Sequence, residues 1–301
     1  FKLVLLLEGL LVGILAGLVI VGYRICLTNG ALWLQRILAY CKQSIFTIII
    51  WFVILFVIAL VVTKLLDWES LISGSGIPQL EGELAGKIDA KWWRVLIAKF
   101  FGGFLANFSG LALGREGPSI QLGAMVGKGI GKVLKRGKTE ERYLLTCGAS
   151  AGLAAAFHAP LAGVMFALEE VHKHFSAPLL ISVMTSSIAA DYLMSSILGM
   201  APVFSFNIHG TLPTQYYWMV IILGIILGLL GAFYNKALLF VQSLYNHSKH
   251  LNNYTKLLIP FILAGILGFT VPQLLGSGDT LVDLLIEGKL TMSLILLLLA
   301  G

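Results

Sequence analysis

Apolar runs long enough to cross a lipid bilayer recur from one end of these 301 residues to the other. The clearest are Ile45–Leu66, Val95–Leu113, Leu179–Leu198, Tyr216–Leu230 with its continuation, and Leu257–Leu275. A hydrocarbon core is about 30 Å thick, so a helix rising about 1.5 Å per residue needs about 20 apolar residues to span it. The runs lack strand-like alternation, and backbone in lipid must satisfy its own hydrogen bonds, so they read as helices. Charged residues make up 12% of the chain, where a soluble domain carries roughly twice that share. The sequence is that of an integral membrane protein.

The formal charge of +6 does not point to nucleic acid. Basic residues gather between apolar runs, notably Lys128, Lys132, Lys135, Arg136, Lys138 and Arg142. Such groups mark cytoplasmic loops. Cys26, Cys41 and Cys147 lack metal or redox spacing and read as reduced packing residues. The text opens on Phe1 and stops at Gly301 inside an apolar run beginning near Leu290, which predicts further machinery beyond Gly301.

Two stretches share one order of features. Gly13-Ile-Leu-Ala-Gly17 precedes Tyr23 as Gly224-Ile-Ile-Leu-Gly228 precedes Tyr234. Each lies near the start of a long apolar helix, and a second long helix then leads to a Gly-Ser-Gly turn, at Gly74–Gly76 and Gly276–Gly278. Glu81-Gly82 and Glu287-Gly288 follow. This order predicts an internal repeat, as in many secondary transporters, with a first unit over 1–199 and an incomplete second over 212–301.

Gly74-Ser-Gly-Ile-Pro78 and Gly114-Arg-Glu-Gly-Pro118 both place Gly and Pro where a helix would begin. A helix that starts inside the bilayer leaves N–H groups unpaired there, which is costly unless something accepts their bonds. An anion is the natural acceptor, favoured by the positive end of the helix dipole, and glycine permits its close approach. Two such starts in one unit predict a shared anion-binding point near the midplane. Glu116 in the second start is a lone carboxylate at membrane depth, which marks a functional candidate. Desolvation favours its neutral form and nearby N–H donors its charged form, so it is poised to carry a proton.

These two segments are similar to the first-half signatures of the CLC chloride channels and transporters. Ala159-Pro-Leu-Ala-Gly-Val-Met-Phe-Ala-Leu-Glu-Glu170 resembles the segment of that family that ends in an internal glutamate. Gln79 departs from the Glu that many relatives carry after Ile-Pro. The resemblance implies an all-α integral membrane fold, an inverted-topology repeat of tilted, partly broken transmembrane helices. It implies that Ser75, Gly76, Ile77, Pro78, Gly114, Arg115, Gly117 and Pro118 form an anion site. Glu116 would compete with the anion for that site, and Glu170 would transfer protons from the inner side. It further implies chloride and protons as cargo, no cofactor, a homodimer in a lipid bilayer built partly through Ala159–Leu198, and residence in a bacterial inner membrane. A Gly-x-Phe-x-Pro helix start and a late tyrosine complete the family's site. Neither occurs before Gly301, so this chain would carry half of the coordination. Ser75 fits the chloride-preferring members.

Chloride–proton exchange is therefore the leading expectation, and a passive chloride channel of the same fold is the alternative. A third class, a membrane-embedded hydrolase, rests on Gly148-Ala-Ser-Ala-Gly152. That motif needs a strand before it and a helix after it, whereas it stands in an alanine-rich helical run. Glu169, Glu170, His172 and His174 lack zincin spacing, and Gly137-Lys138-Thr139 lacks the first glycine of a phosphate loop, which falls at Lys132. His158 reads as a packing or hydrogen-bonded histidine.

Overall fold

In the computed structural model, which describes residues 2–173, 175–200, 213–247, 252–276, 278 and 282, the chain forms ten α-helices and no strand among the described residues. They are α1 (Lys2–Cys41), α2 (Ile45–Trp68), α3 (Ile77–Leu84), α4 (Trp92–Phe108), α5 (Glu116–Val133), α6 (Lys138–Phe157), α7 (Pro160–Phe166), α8 (Ala177–Leu198), α9 (Tyr217–His247) and α10 (Asn253–Thr270). A π-helical segment, Ala167–His172, continues α7. Five of these elements, α1, α2, α8, α9 and α10, are long and apolar enough to cross a membrane. Ser277, the Glu287-Gly288 pair, His174 and the final apolar run lie outside the described residues.

The centre of the bundle is the α5–α6 pair. Between apolar helices in lipid the hydrophobic effect adds little, so close van der Waals packing of small residues has to hold them. Added side chains at Gly123, Gly127, Gly148 and Gly152 would overlap the Gly148, Leu144, Gly123 and Ser119 carbonyls of the facing helix. Ser119–Gly129 of α5 and Leu144–Ala156 of α6 are buried throughout. A helix buried on every side shows no polar face in its sequence.

Around this pair, α1 packs on α8 through Gly9, Gly13 and Gly17, which lie against Ser182, Ser186 and Ala190. Ser150 Oγ and Ser187 Oγ, 2.5 Å apart, and a bond from Ser186 Oγ to the Cys147 carbonyl tie α6 to α8. Ser150 thus sits inside a continuous helix and binds another serine, without the strand–turn–helix setting of a nucleophile elbow. Arg136, just past α5, pairs with Glu8 near the start of α1. Farther out, α10 packs on α2, with Tyr254 donating to the Phe56 carbonyl at 3.3 Å. The outward residues of α2, among them Ile45, Phe46, Ile49 and Val53, are exposed and apolar, as a lipid-facing surface requires.

Lys128 departs from the expectation of a basic loop. It lies in α5 with no solvent exposure and donates to Glu83, to Asp89 Oδ1 at 2.7 Å and to the Ala90 carbonyl at 2.7 Å. An ammonium cannot stay charged in such a place without partners, and these three supply them. The Lys128 ammonium also holds the Asp89 carboxyl, on the exposed α3–α4 loop, below the usual carboxylate range.

Candidate functional site

Both Gly-Pro turns fold as helix starts. Gly74 and Gly76 adopt φ values of 67° and 95°, a left-handed conformation that glycine enters without strain. Gly76 caps α3, whose first turn contains Pro78. Gln121 of α5 packs where a Gly76 side chain would go and donates from Nε2 to the Leu71 carbonyl at 2.9 Å. Gln79 donates to the Ser73 carbonyl at 2.9 Å, so this departure from the family pattern braces the turn from within. Ser75 Oγ accepts a long bond from the Ile77 amide, 3.4 Å.

The two starts meet. A side chain at Gly117 would lie 2.6 Å from the Ser75 carbonyl oxygen and 3.1 Å from Ser75 Cα and Cβ. Glycine at 117 therefore lets the first turn of α5 touch the turn that opens α3. The same two helices meet again at Lys128 and Glu83, so they run side by side with their N-termini at one point. Each N-terminus carries roughly half a positive charge. Ser75 and Gly114 are exposed, Pro78 is exposed, Ile77 and Arg115–Pro118 are half-buried, and Gly76 is buried.

Glu116 is the first residue of α5. Its carboxylate folds back over Gly114, where an added side chain would collide with it. Among the described residues neither a hydrogen bond nor an ion pair holds it. A carboxylate beside two helix N-termini can compete with any anion drawn there, and it is free to leave. Arg115 lines a separate cavity of about 500 Å³ with Asn107, Gly276 and Gly278, which brings these two glycines close to the start of α5. Gly276 and Gly278 share the left-handed φ of Gly74 and Gly76.

Sequence reasoning missed Lys99. It is 5% exposed on α4 and donates to the Ile72 carbonyl at 2.9 Å and the Gly74 carbonyl at 2.7 Å. A buried ammonium thus fixes the loop carrying Ser75 and adds positive potential behind it. The signal was a single lysine inside the apolar run Val95–Leu113, where an ionisable residue calls for an account of its own.

Glu170 does not join this junction. It lies exposed on the π-helical segment after α7, beside a cleft of about 780 Å³ lined by Glu81, Arg142, Tyr143, His172 and Lys173. Thr146 Oγ1 and His172 Nδ1, 3.0 Å apart, and the Lys173–Glu81 pair at 3.3 Å anchor the segment to α6 and α3. Thr146 is eight residues into α6, so the segment ends about 12 Å along that helix from its basic end. Among the described residues no cluster of His, Cys, Asp and Glu forms a metal site, and Glu169, Glu170 and His172 do not converge.

Residues 58–301 match the model of a family described as voltage gated chloride channel. The chain belongs to that family. It is 37% identical over 236 residues to an H(+)/Cl(-) exchange transporter ClcA of Vibrio parahaemolyticus serotype O3:K6, and 36% identical to the protein of the same name from Vibrio campbellii. Each match takes in 76% of this chain and 50% of the relative, so the chain spans about half the length of the curated relatives it matches. Its fold is similar to that of a slow cyanobacterial Cl-/H+ antiporter, with a TM-score of 0.90 and 30% identity over 98% of this chain and 70% of that one. A CLC-type fluoride/proton antiporter shares the fold at a TM-score of 0.76 and 22% identity. The all-α membrane fold expected of a chloride-channel relative is the fold observed.

Proposed function

We propose that this chain belongs to a chloride–proton exchanger in which Glu116 and the transported anion compete for the junction of α3 and α5. The observation that carries this reading is the contact of Gly117 with Ser75, which aims two helix N-termini at one point beside an unheld carboxylate. Ionised, Glu116 occupies the positive junction. Protonated, it loses that attraction and yields the place to chloride. Ser75, Gly76, Ile77, Pro78, Gly114, Arg115, Gly117 and Pro118 line the anion site. Glu170, on the side of the basic loops, passes protons between the inner solution and Glu116.

Dipoles and a hydroxyl, with Lys99 one step behind, suit turnover, because the ion has to be held weakly enough to leave. The names of the bacterial relatives, both exchange transporters, support the same reading. The assembly we propose is a homodimer in a bacterial inner membrane, joined partly through Ala159–Leu198, with the 1–199 and 212–301 units as its internal repeat.

Passive conduction through the same fold is the second reading, favoured by the description of the matching family. Proteoliposomes separate the two. Under an imposed chloride gradient, exchange predicts proton movement that Glu116→Gln abolishes while chloride flux continues. Chloride flux without proton movement in the unsubstituted protein would establish the channel.

A further inference from the structure

A second ionisable cluster gathers at the C-terminal end of α6. His158 closes α6 in a left-handed conformation, φ 54°, just before Pro160 opens α7. The turn sets the imidazole between α1 and α8. Arg24 Nη1 lies 3.1 Å from His158 Nε2, while Asp191 Oδ1 and Ser195 Oγ lie 3.4 and 3.3 Å from Nδ1. Arg24 and Asp191 belong to helices long and apolar enough to span a membrane. The cluster lies at the ends of α6 and α8 remote from the basic loops, and His158 and Asp191 side chains are 15% and 22% exposed.

The chemistry of the three groups allows two arrangements. A guanidinium has donors and no acceptor, so the 3.1 Å contact requires Nε2 to be the accepting nitrogen of a neutral ring. The ring proton is then on Nδ1, toward α8. Protonation places an N–H on Nε2 as well, which opposes two donors and two positive charges and ejects Arg24. The imidazolium keeps Nδ1–H toward Asp191, and its added charge draws in that buried Oδ1, which lies 3.4 Å away and makes no hydrogen bond among the described residues. The carboxylate that awaits a partner and the arginine that must leave are on different helices.

We propose that His158 is a proton-binding site on the membrane face opposite the basic loops, and that its protonation breaks its α1 contact and tightens its α8 contact. Among the described residues, the charged groups that face it are Arg24 from α1 and Asp191 from α8. The last residues of α6, Leu153–Phe157, and all of α7 are apolar or glycine and proline. From α5 the group to consider is Glu116. Ser119 packs at Gly152, so three residues earlier Glu116 comes level with Ala155, about one turn short of His158.

The test is a nitrogen-15 histidine titration of the protein in nanodiscs from pH 4.5 to 8.5, with His158→Gln identifying the resonance. Using Glu116→Gln as background removes the neighbouring titration and makes the result independent of whether exchange occurs. The proposal expects the Nδ1–H tautomer at high pH and a doubly protonated ring at the acid end of the titration. Asp191→Asn should move protonation of the ring to lower pH, and Arg24→Gln should move it to higher pH. A resonance that stays neutral throughout, an Nε2–H tautomer at high pH, or a midpoint indifferent to Asp191→Asn would overturn it. Should His158→Gln not fold, the resonance displaced by Asp191→Asn serves as the assignment, and displacement of none is the contrary result.

Discussion

The helices α3 and α5 meet at both of their ends, and the two meetings are built on opposite plans. Toward their C-termini, Lys128, Glu83, Asp89 and the Ala90 backbone satisfy one another: Glu83 accepts from Lys128 and from the Ala90 amide at 2.7 Å. At their N-termini Gly117 touches Ser75, the dipole ends converge, and Glu116 hangs beside them without a partner among the described residues. One end holds the helices in register; the other leaves positive potential unanswered. The proposed transport site needs both, because weak ion binding is reproducible only on a rigid frame.

Substitutions can pull the two ends apart, and the largest effect belongs to the closed end. Lys128→Met leaves the Glu83 carboxylate buried without its cation and should cost about 3–5 kcal/mol of folded stability. Thermal unfolding in detergent reads this, with Glu116→Gln as the counterpart that leaves the transition unchanged. Equal losses for the two would erase the contrast. Lys99→Met comes next. It strips the Ile72 and Gly74 carbonyls of a charged donor, worth about 1.5–3 kcal/mol, and calorimetry should find chloride binding weakened at least tenfold.

Gly76→Ala forces a side chain against Gln121 at a left-handed φ, a cost of about 1–3 kcal/mol that should appear partly as stability and partly as anion affinity. Smallest is Asp89→Asn, since that side chain is 84% exposed. Its carboxyl is held below the ordinary value by Lys128, so its contribution is present above about pH 3.9 and fades as pH falls through the lowered pKa. Unfolding midpoints of Asp89→Asn and the parent should therefore differ slightly at neutral pH and converge in strong acid.

Four of the five named spans and both helix starts were legible because their signals are local. The run Val95–Leu113 instead forms α4, which ends at Phe108 and is not among the helices long and apolar enough to cross a membrane. Run length sets a span, and Gly before Pro sets a start. The contact between Ser75 and Gly117 was foreseeable only as a consequence of two starts needing one acceptor. Lys128 was not legible, because it belongs by sequence to the basic run that ends at Arg142, and its partner Glu83 is 45 residues away. The small residues around it gave α5 no polar face to read. Gln121, which fills the space left by Gly76, was hidden for the same reason. The sequence left His158 open to packing or hydrogen bonding; it is hydrogen-bonded, and its arginine lies 134 residues earlier. The matching glycine motifs show the same limit from another side. Gly13 and Gly224 stand in matching motifs, yet Gly13 packs against Ser186 while nothing described comes within 4 Å of Gly224. A small-residue motif supplies the capacity for close packing and does not name the partner.

Bromide diffraction of the purified protein in its lipid-exchanged form asks the central question directly, since bromide replaces chloride and scatters anomalously. The account predicts a peak at the junction of Ser75 and Gly117, flanked by the first amides of α3 and α5, and stronger occupancy beside residue 116 in Glu116→Gln. Density confined to other parts of the molecule, with that junction empty in both proteins, would contradict it.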